Sequence, residues 1–361
     1  MLSTRTISAS VGRLLLAALV TAAALVPAGS ASAAALSTQD PAASLPIRSC
    51  PAGDSLVLPS SSSVESDGWI RLNYVVNGLA GYREFPPVGF DPAQASDAML
   101  ASHHMPVRSQ PTGDTSQWGS AIGRLSWDRA KGLCHDPNSS NSGSSRVSDH
   151  WGGDEVRQQP TYDFAGVQAT IVQPSPKTSG TLCQDAKLSS WVGLGGGDPV
   201  PNTPLIQAGT SVTNGKSASD TSYWAWWQYV APVGAGFNFA TQVRKGDTMY
   251  EYVQVSGGGA WTEVWNFTTG SVDSYWLSGV TTADSAEWID ERPNVYGTMP
   301  NYGQTSWSNM QVLRTYSSTW TGAYSEPTEW WIYMMVGSRY LSKPSGTDSG
   351  NHMHDTWYAC Q

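Results

Sequence analysis

Two short stretches of this 361-residue sequence hold polar side chains where a plain strand has no need of them. In the run SAEWIDERP at 285–293, period-two alternation puts Ser285, Glu287 and Ile289 on one face and Ala286, Trp288 and Asp290 on the other. Trp288 then anchors the core while Glu287 faces outward, a carboxylate placed to take or give a proton. In LIQAG at 205–209 the same alternation groups Leu205, Gln207 and Gly209, so the Gln207 amide is aimed away from the core. A solvated Glu beside a buried Trp on an edge strand is the competing interpretation of 285–293.

Aromatic strands frame these residues. In WVGLG at 191–195, Trp191, Gly193 and Gly195 share a face, and the glycines leave a groove beside the indole. In YWAWWQY at 223–229, Trp224, Trp226 and Gln228 line one face, with Tyr223, Ala225, Trp227 and Tyr229 on the other. Both faces are aromatic, as suits a strand covered by core on one side and by a ligand on the other.

The elements that must position them are short strands. Val-, Thr-, Tyr- and Trp-rich runs at 166–173, 189–193, 205–210, 223–229, 248–255, 260–267, 274–278, 286–289, 310–316, 330–336 and 355–359 alternate with Gly, Pro, Asn and Asp. Lys245–Asp247 and Thr268–Ser271 read as turns. Long amphipathic helical patterns are missing, and Asp91–Leu100 is the one short helix expected. The fold class that follows is all-β, with strands enough for two stacked antiparallel sheets.

Residues 1–33 read as an export signal, with Arg5 and Arg13 ahead of the apolar run 14–20 and a small-residue end at Ala31–Ala33. Residues 34–145 read as an N-terminal accessory or pro-segment ending in the Ser/Asn-rich linker Asn138–Ser145, a natural place for proteolytic cutting, and 146–361 as the β-sandwich domain. The chain carries a net charge of −9, and removal of Arg5 and Arg13 with the signal leaves −11. No basic run is present, which excludes nucleic acid as a partner. No apolar run after the signal is long enough to cross a bilayer, so no membrane partner is expected and the mature chain is expected to be secreted.

Cys50, Cys134, Cys183 and Cys360 form an even set in an exported chain, which predicts two disulfides, here Cys134 with Cys183 and Cys50 with Cys360. None of the cysteines has the close spacing of a zinc site, and His352 and His354 beside Asp355 read as loop residues, so no metal is expected. No cofactor is expected either. Neither a Gly-x-Ser-x-Gly elbow nor a full pair of Asp-Thr/Ser-Gly loops occurs: Asp348–Gly350 fits, but Asp114–Ser116 lacks the glycine.

Six motifs in order, WVGLGG at 191–196, LIQAGT at 205–210, SYWAWWQY at 222–229, KGD at 245–247, TTG at 268–270 and SAEWIDERP at 285–293, resemble the glutamic endopeptidases, or eqolisins. The resemblance spans roughly 148–316 and opens at SDHWGG (148–153), where His150 stands in place of the family's Asn. It implies a concanavalin-like two-sheet antiparallel β-sandwich whose concave face binds a polypeptide in extended conformation. It also implies a catalytic pair, Gln207 and Glu287, and groove tryptophans Trp191 and Trp226. Trp224, Gln228 and Gly195 complete the expected groove. Amide hydrolysis without a metal needs a base for the water and a donor for the oxyanion, and Glu287 and Gln207 meet those two needs.

The sequence departs from the family where Gly195, Trp224 and Gln228 stand in place of acids, so Glu287 is expected to have fewer carboxylate neighbours. The function expected is that of a secreted, monomeric acid endopeptidase. The alternative is a non-catalytic sandwich in which Trp191, Trp224 and Trp226 form a stacking platform for polysaccharide or peptide.

Overall fold

The computed structural model describes residues 42–50, 55–76, 78–103, 105, 126–127, 129–136, 149–157, 163–177, 183, 186–196, 204–214, 220–230, 236–293, 298–326 and 329–360. The expected export signal, the expected linker at 138–145, Ser148 and residues 114–116 lie outside these residues. In chain order the strands are β1 (Ser55–Val57), β2 (Ser61–Val64), β3 (Ile70–Val76), β4 (Leu79–Phe85), β5 (Ser126–Trp127), β6 (Leu133–Asp136), β7 (Trp151–Arg157), β8 (Phe164–Val172), β9 (Ala186–Gly195), β10 (Leu205–Asn214) and β11 (Ser222–Tyr229). They continue with β12 (Gly236–Asn238), β13 (Thr248–Ser256), β14 (Gly259–Asn266), β15 (Ser271–Ser278), β16 (Ser285–Glu291), β17 (Gln304–Arg314), β18 (Trp320–Gly322), β19 (Glu329–Ile332), β20 (Met334–Val336), β21 (Arg339–Pro344) and β22 (Met353–Trp357). One six-residue helix, α1, runs Asp97–Ser102.

Two antiparallel sheets form a β-sandwich. The first has nine strands in the order β1-β6-β12-β11-β10-β9-β16-β7-β19. The second runs β2-β3-β4-β15-β14-β13-β8-β17-β22-β21-β20, with β18 beside β17 and β5 pairing β15 in parallel. Alternation sets the inner faces: Val192, Ala208, Ala225, Trp227, Ala286 and Trp288 of the first sheet pack with Val167, Ala169, Met249, Val253 and Val264 of the second. Trp288 also donates its indole N–H to the Gln168 carbonyl at 3.0 Å, which ties β16 to the opposite sheet. Turn chemistry matches the expected connections: Gly246 (φ 75°) and Gly270 (φ 78°) supply left-handed backbone, and Gly257 and Gly258 close the β13–β14 hairpin at φ 61° and 81°.

Residues ahead of 138 contribute to both sheets. β6 pairs with β12 at the edge of the first sheet, and β4 pairs with β15 in the second. Leu72, Tyr74, Phe85 and Leu133 lie in the main core. The buried Asp273 of β15 binds Arg83 (Nε, 2.9 Å), Arg48 (Nη2, 3.0 Å) and the Ala240 N–H (2.8 Å). Burial pushes the Asp273 carboxyl up, but the two guanidiniums outweigh it and hold it below the usual carboxylate range.

The disulfides differ from the expected pairing: Cys50 joins Cys134, and Cys183 joins Cys360. Strand pairing decides this. Ile47 bridges Lys131 and β1 pairs with β6, which carries Cys50 alongside Cys134; Met299 N–H binds the Cys360 carbonyl while Thr298 bridges Ala186, which brings the C-terminus to Cys183. These contacts are non-local, and cysteine spacing does not encode them.

Candidate active site

A single row crosses the first sheet. In register from β19 to β11 it reads Trp330, Glu155, Glu287, Gly193, Gln207 and Gln228. Paired residues of neighbouring strands point to the same face, so all five side chains of this row emerge on the face turned away from the second sheet. Glu287 and Gln207 are two strands apart, about 9–10 Å between backbones. Gly193 lies between them and contributes no side chain. A β-carbon there would meet the Trp191 ring at 2.7 Å and Leu205 Cδ1 at 2.9 Å, so the edge of the Trp191 indole forms the floor between carboxyl and amide.

Alternation placed Glu287 on this outer face, yet the residue is not solvated: its exposure is 0 %. Trp191, Leu205, Trp226, Ile289 and Ile332, with Trp151, Trp224 and Val230 against them, form a separate apolar cluster on the same side. Trp191 is likewise buried. Its ring meets Trp151 edge-on at 5.1 Å, and its indole N–H donates to Glu291 Oε2 at 2.8 Å. Burial raises the Glu291 carboxyl despite that bond and the nearby His150.

The Gln207 Nε2 donates to Gln228 Oε1 at 2.9 Å, and among the described residues Gln207 Oε1 has no hydrogen-bond partner. Gln228 therefore sets which way the Gln207 amide points, with one N–H engaged and the other available. Trp226 sits one row away, opposite Gly209, and its indole N–H donates to Ser211 Oγ at 2.8 Å. Trp224 lies one row further, half-buried, with the Lys187 ammonium 5.0 Å from its ring centre. Gly195 ends β9 in left-handed backbone (φ 84°), and a β-carbon there would collide with the Pro204 carbonyl. Its glycine is thus a backbone requirement as well as a missing acid.

Gly195, Trp224 and Gln228 bring no acid to the site, but one carboxylate that the sequence reading did not single out faces Glu287. Glu155 is fully buried directly opposite it, with Arg157 paired to the Glu155 carboxylate. Like charges facing across an antiparallel pair are unfavourable, and the guanidinium offsets this. Trp330, also unforeseen, is 59 % exposed at the end of the row. The histidines near the C-terminus go elsewhere: His352 meets Asp348 at 3.1 Å, His354 meets Ser306 at 3.1 Å, and Asp355 turns inward to accept from Tyr302 at 2.8 Å. Among the described residues no cluster of three His, Cys, Asp or Glu could hold a metal.

The model of the Peptidase A4 family matches residues 149–335, just over half of the chain. The chain belongs to the Peptidase A4, or eqolisin, family of glutamic peptidases. The match takes in every member of the row, including Glu155 and Trp330. The chain is also similar to solved structures. Scytalido-glutamic peptidase with a transition state analog inhibitor is 20 % identical over 59 % of this chain and 100 % of its own, at a TM-score of 0.47. SCP-B, an eqolisin in complex with the tripeptide Ala-Ile-His, is 18 % identical over the same shares, at 0.44. Aspergilloglutamic peptidase from Aspergillus niger is 24 % identical over 48 % and 99 %, at 0.40. No curated protein sequence matches the chain. Residues 42–136, which build β1–β6, precede the family match.

Proposed function

We propose that this eqolisin is a secreted endopeptidase in which Glu287 and Gln207 hydrolyse peptide bonds by direct attack of water. The observation that carries this is the row itself: carboxyl and amide face the same side, two strands apart, across a residue with no side chain. An extended polypeptide lies over this face with its scissile carbonyl above Gly193. The Glu287 carboxylate takes a proton from water as the water's oxygen bonds to the carbonyl carbon. The carbonyl π electrons move to oxygen, and the free N–H of Gln207 Nε2 meets that oxyanion, an interaction worth about 3 kcal/mol in a preorganised dry site. The C–N bond then breaks, the protonated Glu287 gives its proton to the amine, and the carboxylate is restored.

Gln207 Oε1 is suited to accept a hydrogen bond from the attacking water. Gln228 holds the amide for both tasks. Two disulfides and the leader-like sequence at 1–33 support secretion. The enzyme works as a monomer in mildly acidic solution, with Glu287 acting as base in its ionised form.

Digestion of a denatured protein by the parent, by Glu287→Gln and by Gln207→Ala across acidic to neutral pH tests this. Cleavage by the parent and loss in both folded variants is the expected result. A parent that cleaves nothing at any pH, yet binds peptide or polysaccharide, contradicts it in favour of a binding module.

A further inference from the structure

A cavity of about 820 Å³ lies away from the dyad, at the end of the first sheet. Ile47, Ser49 and Trp127 line it together with Tyr223, Trp224 and Phe239. It is the size of a site for a small ligand or a few peptide residues. Its walls combine aromatic surface with the polar groups of Ser222, Asn238 and Gln242, a mixture that suits large side chains attached to a peptide backbone.

Trp224 belongs to two surfaces at once. It packs against the Trp191–Trp226 cluster on the face that carries the dyad, and it lines the cavity. Register puts Thr213, Ser222, Trp224 and Asn238, all of them lining residues, on the same face of the first sheet as Gln207 and Gln228. Trp224 stands four residues along β11 from Gln228, about 13 Å, a distance that an extended peptide covers in about four residues.

We infer that this cavity is a remote subsite of the peptide groove, holding the part of a substrate that begins about four residues from the cleaved bond, with a preference for aromatic or large aliphatic side chains. The inference rests on the proposed function. Part of the subsite comes from residues ahead of the family-matched segment, since Ile47, Ser49 and Trp127 precede residue 149. Those residues are held in place from both sides: Cys50 is bonded to Cys134, and Arg48 is bound to Asp273. The N-terminal region thus takes part in substrate selection and stays with the working enzyme.

The test compares a six-residue peptide cleaved at its centre with peptides extended by three residues, one of them Phe, at either end. Substrates are assayed with the parent and with Ser49→Trp and Gln242→Trp, two exposed lining positions where added bulk fills the space. Extension at one end is expected to raise kcat/KM about tenfold, the equivalent of burying one large side chain. Each filled variant is expected to bring the extended peptide back to the rate of the hexapeptide, which is too short to reach the cavity. No gain at either end, or a gain that survives both substitutions, overturns the subsite while leaving the dyad intact. Affinities of the same peptides for Glu287→Gln, alone and with each filling substitution, give the same comparison without cleavage. An inactive parent would overturn the proposed function alone; the subsite would then stand or fall on whether extension tightens binding.

Discussion

The side-chain amide of Gln207 donates to that of Gln228 at 2.9 Å, and the two residues are register partners on β10 and β11. The bond orients a donor without charge. Gln228→Leu removes the acceptor and frees the Gln207 amide to rotate, so kcat is expected to fall about 10–100-fold with little change in KM. Gln228→Glu keeps an acceptor in place and is expected to retain most of kcat. A role confined to sheet stability would instead lower the melting temperature of Gln228→Leu and spare kcat.

Gly193 is required by the Trp191 indole rather than by its backbone angles. Gly193→Ala forces a methyl against Trp191 and Leu205 at 2.7 and 2.9 Å, and overpacking of this kind costs about 1–3 kcal/mol. Urea unfolding is expected to show that loss, together with a fall in activity as the ring between Glu287 and Gln207 moves. Unchanged stability and activity would show that the Trp191 ring does not occupy the space above Gly193.

Several interior carboxyls give stability a definite pH dependence. Burial raises Glu251, Glu263, Asp154 and Asp355 well above their ordinary values and Asp290 to about 6, the last despite hydrogen bonds from Ser190 and Thr305. These groups keep protons in the folded chain that the unfolded chain releases above about pH 4. Their contribution is complete below that pH and is lost as pH rises toward and through their folded values, about 6 for Asp290. Asp273, Glu84 and Asp67 are lowered, the last two by His103 lodged between them, and they act in the opposite sense, losing their contribution as pH falls below about 4. The melting temperature is expected to peak near pH 4 and to fall toward pH 7. A rise from pH 4 to pH 7 would contradict this balance.

The N-terminal region is predicted to be integral to the fold. Replacing Arg83 by Met leaves the buried Asp273 with one guanidinium fewer, at a cost of about 3–5 kcal/mol. Peptide mapping without reduction is expected to recover Cys50 joined to Cys134, closing a loop of 84 residues and stabilising the fold by on the order of 4 kcal/mol. Recovery of Cys134 joined to Cys183 would contradict the pairing of β1 with β6.

Alternation within single strands was enough to read the faces of Gln207, Glu287, Trp288 and the β11 tryptophans, because a period of two is local. What depends on partners distant in sequence was not legible. Glu155 faces Glu287 through the pairing of β7 with β16, some 130 residues apart in the chain. β7 itself reads poorly as a strand, since Gly152 and Gly153 interrupt it, and the structure shows why they must. A β-carbon on Gly153 would strike the Trp288 carbonyl, so the close approach that seats the Glu287 strand requires glycine. The same limit explains the β6–β12 and β4–β15 pairings, which attach a region that reads as a detachable segment to both sheets. Burial of Glu287 was hidden for a related reason: the apolar cluster on its side of the sheet draws on β7, β9, β10, β11, β16 and β19 together.

The central claim is that Glu287 and Gln207 act as one unit on one peptide bond. Its most direct test is kcat/KM on a single peptide for the parent, Glu287→Gln, Gln207→Ala and the double variant. Each single substitution is expected to cost about 10³-fold or more, and the double variant no more than the worse single one, as for groups that serve one transition state. Glu287→Gln within about tenfold of the parent, or losses that simply multiply, would contradict the account.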